Sequence, residues 1–133
     1  MLEELAARIE AIGGLGLSRA GGSLFLALLP EGPDRVVALI PSPGREPAGA
    51  LDLDGVAWDQ ATVAVWTRDA SDQVGAARLA AEQIYYDVAG ISNEDLTGKR
   101  WLLARPTTAP FLLERDEHRR PVFAFNLRIQ RVP

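Results

Sequence analysis

The residues of this chain able to do chemistry are few. His118 is the only histidine, set in "ERDEHRR" among charges. A general base needs a sheltered site beside a reacting group. A histidine at a charged turn instead reads as an exposed titrating side chain. There is no cysteine, which excludes disulfides and thiolate chemistry. With one histidine and no thiolate, a zinc cluster cannot be assembled. Two carboxylate pairs stand out, Asp52 with Asp54 and Asp116 with Glu117. An Asp-x-Asp on a loop could hold a divalent cation, but no further oxygen ligands accompany it. "GGLGLSRAGG" is glycine-rich, yet no Lys-Ser/Thr follows it and it leads into a strand, so it lacks what a phosphate cradle requires. Ser18, Ser23, Ser42, Ser71 and Ser92 have no histidine at a suggestive spacing. The expectation is a protein that is not an enzyme and takes no metal and no cofactor.

The elements around these residues follow from periodicity. Leu2, Leu5, Ile9 and Ile12 recur at steps of three and four, with Glu3, Glu4, Arg8 and Glu10 on other faces, so residues 2–12 read as an amphipathic helix ended by Gly13 and Gly14. "SLFLALLP" reads as a strand closed by Pro30, and "RVVALIP" as a second strand after the turn "EGPD". Residues 41–59 lose periodicity and are the longest loop, of a length that usually signals function or mobility. "ATVAVWT" is a third strand. A second helix follows in "RDASDQVGAARLAAEQIYYDVAG", with Asp69 or Ser71 as cap, Asp72 in its first turn and Gly90 at its exit. Val74, Ala77, Ala81, Ile84, Tyr85 and Val88 form its expected buried stripe.

"KRWLLARP" reads as a fourth strand, and "FLLER" and "PVFAFNLRIQR" as a hairpin closed by "DEHRR". In the last strand Phe123, Phe125, Leu127 and Ile129 alternate with Ala124, Asn126, Arg128 and Gln130, which gives one dry and one wet face. The expected fold class is α+β, one domain over residues 1–133. It has an antiparallel-rich sheet with two helices packed on one face, in the order α-β-β-β-α-β-β-β.

Charge is distributed unevenly. Residues 1–98 carry six arginines against fifteen carboxylates, a balance of −9, while residues 99–133 carry eight cations against three carboxylates, a balance of +5. The two ends can pair within one fold, or present opposite patches to neighbouring copies. The acidic, amphipathic start differs from the basic-then-apolar pattern of a secretory leader, and no apolar run approaches the roughly 20 residues of a membrane helix. A soluble protein made in the cytoplasm, with no membrane partner, is expected. The helix-strand-strand-strand-helix order is shared with double-stranded-RNA-binding modules, which set lysines at the start of their second helix to meet phosphates. Asp69 and Asp72 stand there instead and would repel an anion.

Taken as an ordered set, these elements resemble the minor capsid or tail terminator proteins of long-tailed bacteriophages. The resemblance rests on a strand ending in Arg68, an alanine-rich helix running to Gly90, and a strand ending near Pro110. A turn with Asp116 and Arg119 then leads into an aromatic strand containing Asn126. "ALIPSPGREP" resembles the family's strand followed by Pro-Gly.

The resemblance implies a structural virion protein of the tail and neck region. Its copies would form a ring, usually a hexamer, that caps the tail tube and joins it to head-tail connector proteins, with DNA passing through unbound. A closed ring needs two different complementary patches on each subunit. Arg68, Arg115, Asp116, Arg119, Arg120, Asn126 and Arg128 are the expected residues of one patch. The acidic first helix and the 41–59 loop are expected to form the other, and acidic side chains are expected to line any lumen.

Overall fold

The computed structural model describes residues 2–41, 48–49 and 57–132. The expected 41–59 loop, with Asp52 and Asp54, lies mostly outside these residues. Helix α1 spans Leu2–Glu10 and α2 spans Val74–Val88. The strands are β1 (Leu24–Leu26), β2 (Val36–Pro41), β3 (Ala48–Gly49), β4 (Ala57–Arg68), β5 (Ser92–Leu96), β6 (Lys99–Pro106), β7 (Phe111–Arg115) and β8 (Pro121–Arg131). All six expected strands and both helices are present in their expected order, and β3 and β5 are additional.

One mixed sheet runs β1-β2-β4-β8-β6-β5, with β3 beside β4 and β7 beside β8. Its spine is the long antiparallel pair β4–β8, in register from Asp59↔Arg131 to Arg68↔Val122. Along the other side of β8, β6 pairs with its second half and β7 with its first. All pairings are antiparallel except β1 with β2. The segment 27–35 therefore carries the chain back to the starting end of the sheet. Ala27, with a φ of 67°, donates its amide to the Leu39 carbonyl at 2.8 Å where that return begins.

Both helices lie on one face. Leu5 and Ile9 of α1 and Ala80, Ile84 and Val88 of α2 share a core with Val37, Leu39, Val63, Val65, Phe125, Leu127 and Ile129. These sheet residues recur at every second position, as a pleated face requires. Tyr85 meets Phe125 edge-on, with ring centroids 5.6 Å apart. The Thr67 hydroxyl donates to the Ala77 carbonyl at 2.8 Å, tying β4 to α2 under cover. Small alanines let α2 lie close to the sheet, and Ala77 and Ala81 sit against Phe123.

Two local expectations differ. Helix α2 starts at Val74 without a side-chain cap, and its first turn holds no acid. Asp69 instead accepts the Ala70 amide at 2.8 Å, and Gln73 bonds back to Ala70, so residues 70–73 form a turn ahead of the helix. The exit at Ala89 keeps right-handed geometry rather than relying on a left-handed Gly90. Strand β5 was hidden because "SNEDL" lacks alternation and β-forming residues. Thr97 and Gly98 both have positive φ, the conformation of a two-residue hairpin turn, and they fold β5 onto β6.

Candidate assembly surface

The charged turn between β7 and β8 is built around Asp116. One carboxylate oxygen, Oδ1, accepts the backbone amides of His118 and Arg120, each at 2.9 Å. The other, Oδ2, accepts the Arg120 Nε at 2.7 Å. An aspartate that bonds the backbone ahead of it shapes a turn by itself. Arg119 then takes a left-handed φ of 61° to close it.

Two guanidinium groups fasten this turn to the loop after β1. Arg120, 5% exposed, reaches the Glu31 carbonyl at 2.5 Å and the Asp34 carboxylate at 3.2 Å. Arg68, 3% exposed, donates to the carbonyls of Pro30 and Pro33, each at 2.6 Å, and of Asp34 at 3.2 Å. Its Nη1 lies 3.9 Å from the Asp116 carboxylate. One half-buried carboxylate thus stands between two buried cations.

Burial works to raise the Asp116 carboxyl, but the amide and guanidinium of Arg120 and the amide of His118 outweigh it and hold it below its ordinary value. Burial lowers Arg68, and the neighbouring Arg120 charge adds to that effect. Burial also lowers Arg120, but its bonds to Asp116 and Asp34 more than offset this. Both arginines remain cationic at any physiological pH.

The pocket bordered by Arg68, Asp116, His118 and Arg120 holds only about 180 Å³. That is below the roughly 300 Å³ at which small-molecule sites begin, and its guanidinium donors are turned to the backbone of loop 30–34. His118 stands at its rim, 62% exposed and 3.9 Å from Glu31. Among the described residues, no group of three or more His, Asp or Glu side chains converges as a metal site would require.

The seven residues expected at an assembly patch therefore fall into three places. Arg68 and Arg120 are buried with Asp116 half-buried between them, and the three tie the turn to loop 30–34. Arg115 and Arg119 are on the outside of the turn, with Arg115 donating to the Arg119 carbonyl at 2.8 Å. Asn126 and Arg128 are half-buried on the helix-free face of the sheet, where Arg128 sits directly opposite Arg105.

Two further features bear on this surface. Of the two outcomes open for the uneven charge, pairing within the fold is seen between Glu4 and Arg131 and between Asp34 and Arg120, while Arg8 pairs with Asp87 and Glu94 inside the acidic segment. Strand β7 is exposed along its whole length, including Phe111, Leu112 and Leu113 at 42%, 49% and 40%. A sign of this was available: "FLLER" is too short and unpatterned to bury one face.

A family model described as bacteriophage tail terminator protein matches residues 11–133. The chain belongs to the bacteriophage tail terminator family. It is accordingly a structural phage tail protein. The fold of this terminator family member is similar to that of a chain in a solved structure titled "Virion of native gene transfer agent (GTA) particle". The TM-score is 0.70 at 14% identity, over 97% of this chain and 92% of the other. None of the curated proteins matches the sequence.

Proposed function

We propose that this chain is the terminator subunit itself: copies of it close into a ring, with six as the expected number, that caps the tail tube. The ring offers its other side to the head-tail connector, and DNA passes through its lumen without specific contacts. Its place would be the tail and neck region of the virion, after synthesis in the host cytoplasm. The observation that carries this reading is the family match over nearly the whole chain. The fold supports it in two ways. The pocket bordered by Arg68, Asp116 and Arg120 is below ligand size, and the wider surface hollow of about 550 Å³ on the turn's other side is bordered by Ser71, Arg115 and Arg119. The surface does expose apolar strand residues, and Arg115 and Arg119, which have no ion-pair partner among the described residues, and these suit contact with other proteins. Membership in this family, and the aspartates ahead of α2, leave a double-stranded-RNA-binding role without support.

Light scattering on the purified chain, alone and with purified tail tubes, tests the proposal. A mass near six subunits, or rings that form on tube ends in electron micrographs, is the expected outcome. A chain that remains monomeric and leaves tube ends bare would overturn it.

A further inference from the structure

At the end of the sheet nearest the charged turn, the strands run β1-β2-β4-β8-β7, so β1 and β7 are its two lateral edges. Neither has a second strand partner among the described residues. Natural proteins guard such edges with charges within the strand or cover them. Strand β5, at the sheet's other end, is guarded in this way by Glu94 and Asp95. Strands β1 and β7 are guarded less: β1 reads Leu-Phe-Leu, and β7 begins Phe-Leu-Leu and carries its charges, Glu114 and Arg115, only at its end. In β1, the bonds Val37 N–H to Ser23 O and Ala27 N–H to Leu39 O turn Ser23, Phe25 and Ala27 toward β2. The backbone groups of Leu26 therefore turn outward, where another strand can use them.

We infer that the β7 edge of one copy pairs with the β1 edge of the next, so that the sheets of neighbouring subunits continue into one another. This rests on the ring reading and supplies its contact. The occupant of each edge is a second copy of this chain, because the two edges complement each other in three respects. Both are short, with an apolar run of three residues, 24–26 in β1 and 111–113 in β7. An open groove of about 570 Å³ runs along β1, lined by Glu10, Arg19, Ala20, Leu24, Phe25 and Leu26. Its acid and base stand beside apolar residues just as Arg115 and Glu114 stand beside Leu113 in β7. The faces also match. Phe25 shares the helix-free face with Ala38, and Phe111 shares that face with Ala124. Leu24 and Leu112 lie on the helix face, opposite Val37 and Phe123 respectively. A continuous sheet therefore sets Phe111 beside Phe25 and Leu112 beside the β1 leucines. Such a contact is head-to-tail, joining two different surfaces, and it closes into a ring when the rotation per subunit divides a full turn.

The absence of cysteine makes the test direct. Phe25→Cys and Phe111→Cys are made separately, mixed and oxidised, and the products are separated under denaturing conditions. A disulfide needs the two Cα atoms within about 7 Å. The mixture should give a crosslinked dimer that neither variant gives alone. The double variant should give a ladder ending at the ring number. Phe25→Cys mixed with Leu112→Cys should lose the band, since those side chains point to opposite faces. In the otherwise unchanged chain, Phe111→Lys, an exposed substitution that leaves the core intact, should disperse the oligomer at unchanged melting temperature. A dimer from Phe111→Cys alone would overturn the inference, because it would show like edges meeting. No mixed dimer from a chain that still forms rings on tubes would overturn it too, while leaving the terminator reading intact. A chain that neither oligomerises nor caps tubes would remove both.

Discussion

Replacing Asp116 with Asn tests whether the charged turn is an internal fastening or a free surface. The substitution keeps the size of the side chain and one carbonyl oxygen, so the turn's backbone bonds to His118 and Arg120 can partly survive. It removes the negative charge between Arg68 and Arg120, which are 3% and 5% exposed. Two buried cations then face each other with only carbonyls and Asp34 to offset them. Removing one partner of a buried ion pair costs about 3–5 kcal/mol. The Asp116 side chain is 18% exposed, and water reaching it screens part of that, so a loss of about 2–4 kcal/mol is expected. For a chain of 133 residues this is a fall in melting temperature of roughly 6–16 °C, at about 3–4 °C per kcal/mol.

Urea denaturation followed by circular dichroism gives the free energy directly, provided the slope with denaturant stays constant. Replacing Arg68 with Met in the same background separates the causes. If repulsion between the cations dominates, the double variant should be less unstable than the two single losses combined predict. A loss under about 0.5 kcal/mol, the range of ordinary surface substitutions, would refute the view that Asp116 holds the turn.

Acid should act on the same group. The folded Asp116 carboxyl lies below its ordinary value, so its stabilisation is present above the unfolded carboxylate range and is lost as pH falls through the folded value. Denaturation midpoints measured from neutral pH downward should fall more steeply for the parent chain than for Asp116→Asn, and equal slopes would count against the assignment. Phe125→Ala removes a fully buried ring that packs on Tyr85, and should cost about 3–5 kcal/mol in the same denaturation assay without a specific effect on association. Arg115→Glu with Arg119→Glu should leave the melting temperature within a few degrees while weakening ring formation by light scattering. Arg120→Glu should instead unfold the turn, because it puts a second carboxylate beside Asp116 in a buried position.

Much of the fold was legible from spacing alone. Leu5 and Ile9 of α1, Ala77, Ala81, Ile84 and Val88 of α2 and Phe123, Phe125, Leu127 and Ile129 of β8 each report a face that must leave water, and all are buried. Val74 and Tyr85 are only half-buried, and Ala124, expected on the wet face of β8, is buried too. The pieces that were not legible follow a common cause. Strand β5 is polar and owes its place to its turn and to β6, not to a pattern of its own. The parallel pairing of β1 depends on how segment 27–35 returns, which no local propensity encodes. The start of α2 was displaced because Asp69 bonds Ala70 before the helix can use it as a cap.

The candidate patch shows the same division. That residues 115–120 form a charged hairpin turn was available in "ERDEHRR". Which of its charges face outward was not. Arg120 and Arg68 are separated by more than fifty residues, yet both end in the same small volume with Asp116 and loop 30–34.

The sequence by itself determined the number of main elements, their order and the face each buries, because these depend on residues within one or two turns of one another. It also determined the chemistry the chain lacks, since no thiol and only one imidazole are present. Only the tertiary structure decided which arginines hold the subunit together and which strand edges stay open. Those outcomes depend on partners brought together from distant segments, and an arginine's charge has the same sign on the surface as against a half-buried carboxylate.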